Sequence, residues 1–373
     1  RPGISDDRIV IAAHIPLSQD GVPIDQIAGG VQDAVEMFER YTNEVGGGIN
    51  GRDLDIVIAD DGFDAGQAST ACRELASREP FLLLGYGGTD QILTCARYAV
   101  SEGITYLSPG VAEAGLVGQP GYYSMTATYE RQAPILADLI ADRVEGVTAT
   151  GMVTPNSPNQ NGYEKALKAA LSSRGIAPKV VDRIDPQGND SELLAECLKL
   201  SNADVDVVAV NMHPLVLARF VRTCKNQGYE PQWVSMSTGG ELDLFVDLAG
   251  EAADGLLHLA RSHHPLDLPS GGTVETEARD AWSRYGDGAF DPTLTFLWGF
   301  LDMMRQPLIA AGPDINTNSF RTMMNTFSYD NGVVSPIRFS AGDNIGGHTV
   351  VLYEADVGAG RFVEIDRNWT NDY

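Results

Sequence analysis

The stretch Phe81–Ala112, FLLLGYGGTDQILTCARYAVSEGITYLSPGVA, decides how the rest of the chain is read. It opens on an apolar run, Phe81–Leu84, too short for a helix and suited to a parallel strand buried on both faces. Gly85, Gly87 and Gly88 then allow a sharp turn and a close approach to the backbone. Thr89 and Asp90 are residue types that cap helices, and Ile92, Leu93, Cys95, Ala96, Ala99 and Val100 follow at helical spacing. Gly103 ends that helix, and Ile104–Leu107 reads as the next strand, closed by Ser108-Pro109-Gly110. The result is strand, Gly-rich turn, helix and strand. Spare amides and the positive end of the helix dipole at the turn can hold an anion or another acceptor. A small ligand is expected there.

Working outward, Arg8–Ala13 (RIVIAA) is the first strand, and the loop after it carries Ser18 and Gln19. A long amphipathic helix follows, with Val31, Ala34, Val35, Phe38 and Tyr41 on one face. Leu54–Ala59 is the second strand, closed by Asp60 and Asp61, and the helix holding Cys72 leads to the central unit. This order is that of a doubly wound α/β domain with a parallel sheet. After an apolar crossing at Gly121–Met125 the pattern restarts, with strands at Val147–Val153, Val180–Ile184, Val205–Val210 and Trp233–Met236 between helices. Gly255–Ala260 is another crossing, followed by helices near Val274–Tyr285, Thr293–Ala311 and Ser319–Thr326. Ile337–Ser340, Thr349–Tyr353 and Arg361–Glu364 predict antiparallel strands at the end.

A chain of 373 residues is natural for two such lobes. Its formal net charge of −25 excludes nucleic acid as a partner and disfavours an anionic membrane, since both need a basic face. No apolar run reaches the ~20 residues that span a bilayer. The four cysteines form no close pair, which argues against zinc. Cys72 and Cys95 lie in the helices on either side of one strand, and Cys197 and Cys224 flank the Val205–Val210 strand in the same way. Two disulfides and an oxidising compartment are the favoured reading; four small buried thiols are the alternative.

No GxGxxG follows the first strand, and neither a GxSxG elbow nor a P-loop is present, so no enzyme, catalytic residue or cofactor is expected. His263-His264 has no third ligand at metal-binding spacing and reads as a solvated loop. Met212 and His213 end a strand at its carboxyl edge, where either a ligand contact or a capping role fits. Phe290 stands at the entry to a helix and is a candidate for lining a cleft; Phe296 and Trp298 read as core.

The run NEVGGGINGRDLDIVIADDGFDAGQA (Asn43–Ala68) closely resembles the hallmark of type I periplasmic binding proteins of the branched-chain amino acid class. IVIAAHIPLS, GYGGTD, AVNMHPLVLARFVRTCKNQGY, GEAADGLLHL and SPIRFSAGDNIGGHTVVLYE resemble further parts of that family in the same order, over essentially the whole chain. The resemblance implies two Rossmann-like lobes joined by three crossings, near Tyr123–Ala127, Leu257–Ala260 and Ser335–Ile337. One lobe would comprise residues 1–124 and 258–335 and the other 125–257 and 336–373, closing on a small molecule and docking on permease subunits of an ABC importer. It also implies an extracytoplasmic, monomeric protein. Ligand contacts would come from Ser18, Gln19, Tyr86, Gly88, Thr89, Asp90, Gly110, Val111 and Ala112 on one side. Tyr129, Asn161, Tyr163, Met212, His213, Ser237, Thr238 and Phe290 complete the set.

Two departures bear on the ligand. Ala112 stands where amino-acid binders of the family have a threonine, and Ser235-Met236-Ser237-Thr238 where an acidic residue usually receives the ammonium. A charged ammonium in a closed site needs a carboxylate or several acceptors to offset its desolvation. An aromatic or other carboxylated catabolite is therefore expected ahead of a plain α-amino acid. A branched-chain or other amino acid is the alternative, and a ligand-sensing ectodomain is the alternative from another class.

Overall fold

The computed structural model describes residues 2–18, 29–110, 115–186, 188–236 and 242–370. In chain order the first strands and helices are β1 (Arg8–Ile15), α1 (Gly29–Glu44), β2 (Asp53–Asp60), α2 (Ala65–Ala76), β3 (Leu82–Gly85), α3 (Thr89–Ser101), β4 (Thr105–Ser108) and β5 (Tyr122–Ser124). They are followed by α4 (Tyr129–Arg143), β6 (Ala149–Pro155), α5 (Gln160–Ser173), β7 (Ala177–Ile184), α6 (Asp190–Asn202), β8 (Val207–Val210), α7 (Pro214–Asn226), β9 (Gln232–Met236), α8 (Leu242–Ala249) and β10 (Leu257–Ala260). The last are α9 (Thr273–Tyr285), α10 (Thr293–Ala310), α11 (Thr317–Met324), β11 (Ser328–Tyr329), β12 (Ile337–Arg338), β13 (Thr349–Asp356) and β14 (Arg361–Thr370).

The chain forms two compact units, Arg1–Thr128 with Pro265–His348 and Tyr129–His264 with Thr349–Tyr373. Unit 1 is built on a parallel sheet in the order β2-β1-β3-β4-β5. Alternation along its strands sends side chains to two different layers. Ile9, Ile11 and Ala13 of β1 and Leu82 and Leu84 of β3 join the core beneath α1, α9, α10 and α11. Ala12 and Leu83 point the other way, into the layer of α2 and α3. That double burial is why β3 is an unbroken apolar run.

Unit 2 repeats the plan. Its parallel strands run β7-β6-β8-β9-β10, and β13 and β14 extend the sheet beyond β10 in antiparallel fashion. One core packs β6, β8 and β10 against α6, α7 and α8. The sequence reading contains no helix at α8, whose LDLFVDLA is too short and too uniformly apolar to show a helical period.

The passages between units fall at 128/129, 264/265 and 348/349. The sequence reading places them earlier, the third by more than a full strand. The cause is the segment before β13. Ile337 and Phe339 are buried in the unit 1 core, and β12 pairs with β11 rather than with β13. The Asn344 amide donates to the carbonyls of Leu116 and Tyr122 and accepts from the Gly118 amide, lashing this segment to β5.

The family-like run Asn43–Ala68 does structural work. Asn43 exchanges two hydrogen bonds with the backbone of Leu54, fastening α1 to the edge strand β2. Gly48, at φ +76°, lies so close to the Arg52 carbonyl that no side chain fits. Asn50 donates to the carbonyls of Leu308 and Ile309 near the C-terminal end of α10.

Disulfides join Cys72 of α2 to Cys95 of α3 and Cys197 of α6 to Cys224 of α7, as the helix placement predicts. The half-cystines are 23 and 27 residues apart, loops for which chain entropy allows about 3 kcal/mol each. Replacing either pair by serine is expected to lower the unfolding free energy by that order, and the urea midpoint with it, without abolishing the fold. Equilibrium denaturation checks this, together with a thiol titration of the unfolded, unreduced protein that should find no free thiol.

Candidate functional site

In the unit 1 order β2-β1-β3-β4-β5, the chain leaves β1 towards one side of the sheet and β3 towards the other. That switch between β1 and β3 opens a crevice at their carboxyl ends, the usual ligand position in open α/β sheets. Two loops meet there. The first is the exit from β1, where the Asp60 carboxylate accepts from the amides of Leu17, Ser18 and Gly62 and, at 2.5 Å, from the Ser18 hydroxyl. Burial pushes the Asp60 carboxyl up, but these donors outweigh it and hold it below 3.8. The Ser18 hydroxyl thus gives its proton to Asp60.

The second loop is Tyr86-Gly87-Gly88-Thr89. Gly87 has φ +142°, and a side chain at Gly88 would strike Gln91. The N-cap of α3 is Gly88, with Thr89 and Asp90 already inside the first turn. The capping role read for Thr89 and Asp90 is therefore corrected: the glycine takes the extended cap conformation, at φ −70° and ψ 153°. Asp90 is the acidic residue of that first turn.

Beneath both loops runs a buried chain of polar groups. Asp61 and His14, each 0% exposed, are linked through Nδ1 at 2.7 Å, and His14 Nε2 lies 2.6 Å from the Tyr106 hydroxyl. With Asp61 accepting from Nδ1–H, Nε2 accepts the Tyr106 O–H. Burial raises the Tyr106 pKa well above its usual range and keeps that proton in place. Gly85 makes the arrangement possible, since a Cβ there would sit 1.5 Å from the Tyr106 oxygen. The disulfide sulfurs of Cys72 and Cys95 are also close to His14. They are bonded to each other and both imidazole nitrogens are engaged, so the group offers no metal site.

On the opposite face of the same sheet end lies an apolar pocket of about 570 Å³, its open mouth included. The ends of β1 and β3, with Tyr86, Pro109 and Met125, form its floor, and α1 and α10 its walls. Phe300, Leu301 and Met304 of α10 line it; none was singled out from the sequence. Their signal was present in the apolar stripe of α10, but such a stripe is ordinarily all core. Phe290 takes no part. It packs edge-on to Trp282 with the Arg279 guanidinium 4.3 Å from its ring centroid.

In unit 2 the corresponding strand ends carry other predicted residues. His213 N-caps α7, its Nδ1 accepting from the Leu215 amide at 3.3 Å, while Met212 beside it is buried. Asn161 is exposed and accepts from Arg183 at 2.5 Å. Tyr163 is wholly buried, edge-on to Tyr129. His263 and His264 are 7% and 5% exposed and hydrogen-bonded to Glu364 and Asp243, so they are buried and paired, not a solvated loop. The partners come from β14 and α8, distant in sequence. Gln19, Val111, Ala112, Ser237 and Thr238 lie outside the described residues.

A family model for periplasmic binding proteins matches residues 16–361. The chain belongs to this family. Its members are the non-catalytic, solute-binding components of ABC transport. A "Leucine-, isoleucine-, valine-, threonine-, and alanine-binding protein" of Pseudomonas aeruginosa is 22% identical over 255 residues, 67% of this chain and 65% of that protein. A "Leu/Ile/Val-binding protein" of Escherichia coli is 23% identical over 333 residues, 86% of this chain and 85% of its own length. Among solved structures, a "Fatty acid ABC transporter substrate-binding protein" from Thermomonospora curvata superposes with TM-score 0.81 at 15% identity, covering 100% of this chain and 94% of that one. At that identity the likeness speaks for the fold: two-lobed, α/β, with parallel sheets. Among the described residues no helix is long and apolar enough to cross a membrane.

Two outcomes test the geometry. Gly85→Ala is expected to cost about 1–3 kcal/mol by overpacking, and the cost should shrink when Tyr106→Phe removes the opposing oxygen; a double-mutant cycle by urea denaturation measures this. Because the Asp60 carboxyl is held below 3.8, its contribution is full above that pH and is lost as pH falls through the folded value. Asp60→Asn should therefore flatten the acid limb of the stability profile below pH 3.8 and leave the neutral-to-alkaline limb unchanged in shape.

Proposed function

We propose that the chain is the extracytoplasmic binding component of an ABC importer, and that its solute is an apolar amino acid of the leucine, isoleucine and valine class. The observation that carries this reading is one place in unit 1, where a Gly-rich turn opening α3 stands beside an apolar pocket. The turn offers first-turn amides and the Thr89 hydroxyl to a carboxylate, and the pocket offers apolar enclosure to a side chain. A dipole contribution at a helix end is worth about 1 kcal/mol, so enclosure must supply most of the affinity. An ammonium finds Asp90 in the same first turn.

The ligands named for the Pseudomonas and Escherichia proteins support an amino acid over the aromatic or other carboxylated catabolite preferred from sequence. That preference rested on Ala112 and on Ser235–Thr238, and a missing side-chain hydroxyl does not remove the backbone donors of a turn. The paired disulfides support residence in an oxidising compartment, where permease subunits would receive the loaded protein.

Calorimetric titration with leucine, isoleucine, valine and a panel of aromatic acids tests the reading. Binding of the branched-chain amino acids is expected; binding of an aromatic acid with none of the three would overturn it. Thr89→Ala should weaken leucine binding about three- to tenfold, the worth of one hydrogen bond, with no change in melting temperature. Unchanged affinity would remove Thr89 from the site.

A further inference from the structure

The apolar stripe that α6 turns to the core of unit 2 contains a carboxyl. Leu193, Cys197 and Leu200 fill that stripe, and Glu196, one turn after Leu193 and one before Leu200, lies on the same buried side. Glu196 is 8% exposed, and its Oε1 is shut off from water with no hydrogen-bond partner among the described residues. One turn back, Glu192 accepts from the Asp185 amide through Oε1, while its Oε2 is likewise buried without a partner. The cations of α6 and of the elements packed on it are engaged elsewhere. Lys199 of α6 is held by Asp182 of β7, Arg183 of β7 by Glu164, and Arg219 and Lys225 of α7 by Asp190 and Glu230. Lys179 and Arg222 donate to backbone carbonyls. Burial first, and then the Glu192 charge one turn away, push the Glu196 carboxyl up to about 7.

We infer that the Glu192–Glu196 pair is a pH-sensitive latch: with Glu196 protonated the first two turns of α6 pack on the core, and with both carboxyls charged those turns open. A neutral carboxyl belongs in an apolar stripe at modest cost, whereas an unpaired carboxylate does not. The Cys197–Cys224 bridge, at the next residue, keeps the rest of α6 on α7, so the opening stops there. The folded chain holds a proton that the unfolded chain, with an ordinary carboxyl at 4.5, releases. This contribution to stability is therefore full below 4.5 and is lost as pH rises through about 7. Acid tightens this part of unit 2 whichever solute the protein carries.

The test is amide hydrogen exchange of the intact protein at about pH 5 and about pH 8, read as the opening constant of residues 190–196 after correction for intrinsic rates. Opening is expected to rise at least about tenfold between the two, as loss of one proton over more than one unit of pH requires. Glu196→Gln, which has the shape of the protonated acid, should abolish that rise and open less than the unmodified protein at the higher pH. Infrared spectroscopy of the unmodified protein needs no variant: a protonated-carboxyl stretch present at about pH 6 should disappear by about pH 8. Opening independent of pH, a rise that persists in folded Glu196→Gln, or absence of the infrared change would each overturn the inference. So would suppression of the rise by millimolar calcium or magnesium, which would make the pair a cation site instead.

Discussion

A hydrogen-bonded line of three side chains, Asp61, His14 and Tyr106, holds the carboxyl ends of β2, β1 and β4 in one arrangement without access to water. Left unpaired, any one of them would cost about 1–3 kcal/mol of desolvation, so they persist only as a set. The line crosses beneath β3 because Gly85 has no side chain to block it. The arrangement of the loops at this sheet end depends on that clearance. The β1 exit loop is pinned by Asp60, the turn at Gly87 and Gly88 is free to face outward, and α3 starts where its amides are useful.

The same sheet end has two unlike faces. One carries the polar line and the Cys72–Cys95 bridge; the other carries a pocket walled by α1 and α10. Strand alternation is the cause. Ala13 and Ile15 face the pocket while Ala12 and His14 face the opposite layer, and Leu84 of β3 and Tyr86 just after it face the pocket while Leu83 faces away. The Gly-rich turn opening α3 thus sits next to an apolar pocket.

Unit 2 repeats the strand order and the bridging of helices on either side of its third strand, through Cys197 and Cys224, but finishes differently. The antiparallel hairpin of β13 and β14 extends its sheet and brings Glu364 and Tyr353 against the two histidines that end the preceding segment. Buried His263 and His264 are therefore tied to residues about a hundred positions away, and the nearby sequence, rich in Pro and Gly, gave no hint of partners.

Local pattern determined most of the architecture. The apolar runs, the helical spacing and the glycines at turns were enough for the alternating strands and helices, the doubly wound lobes and both cysteine pairs, because each depends on neighbours within one βαβ unit. The family-like run around Gly48 and Asn50 was legible for the same reason, although what those residues bond to was not. What tertiary structure alone decided lies where one residue meets another far along the chain. Asn344 draws residues 336–348 onto β5 and moves the third passage between units; Phe290 turns to Trp282 and Arg279; Phe300, Leu301 and Met304 pack with the unit 1 core and also line a pocket. A helical stripe records that a face is apolar. Which elements that face meets is set by the packing of segments hundreds of residues apart, which no local pattern encodes.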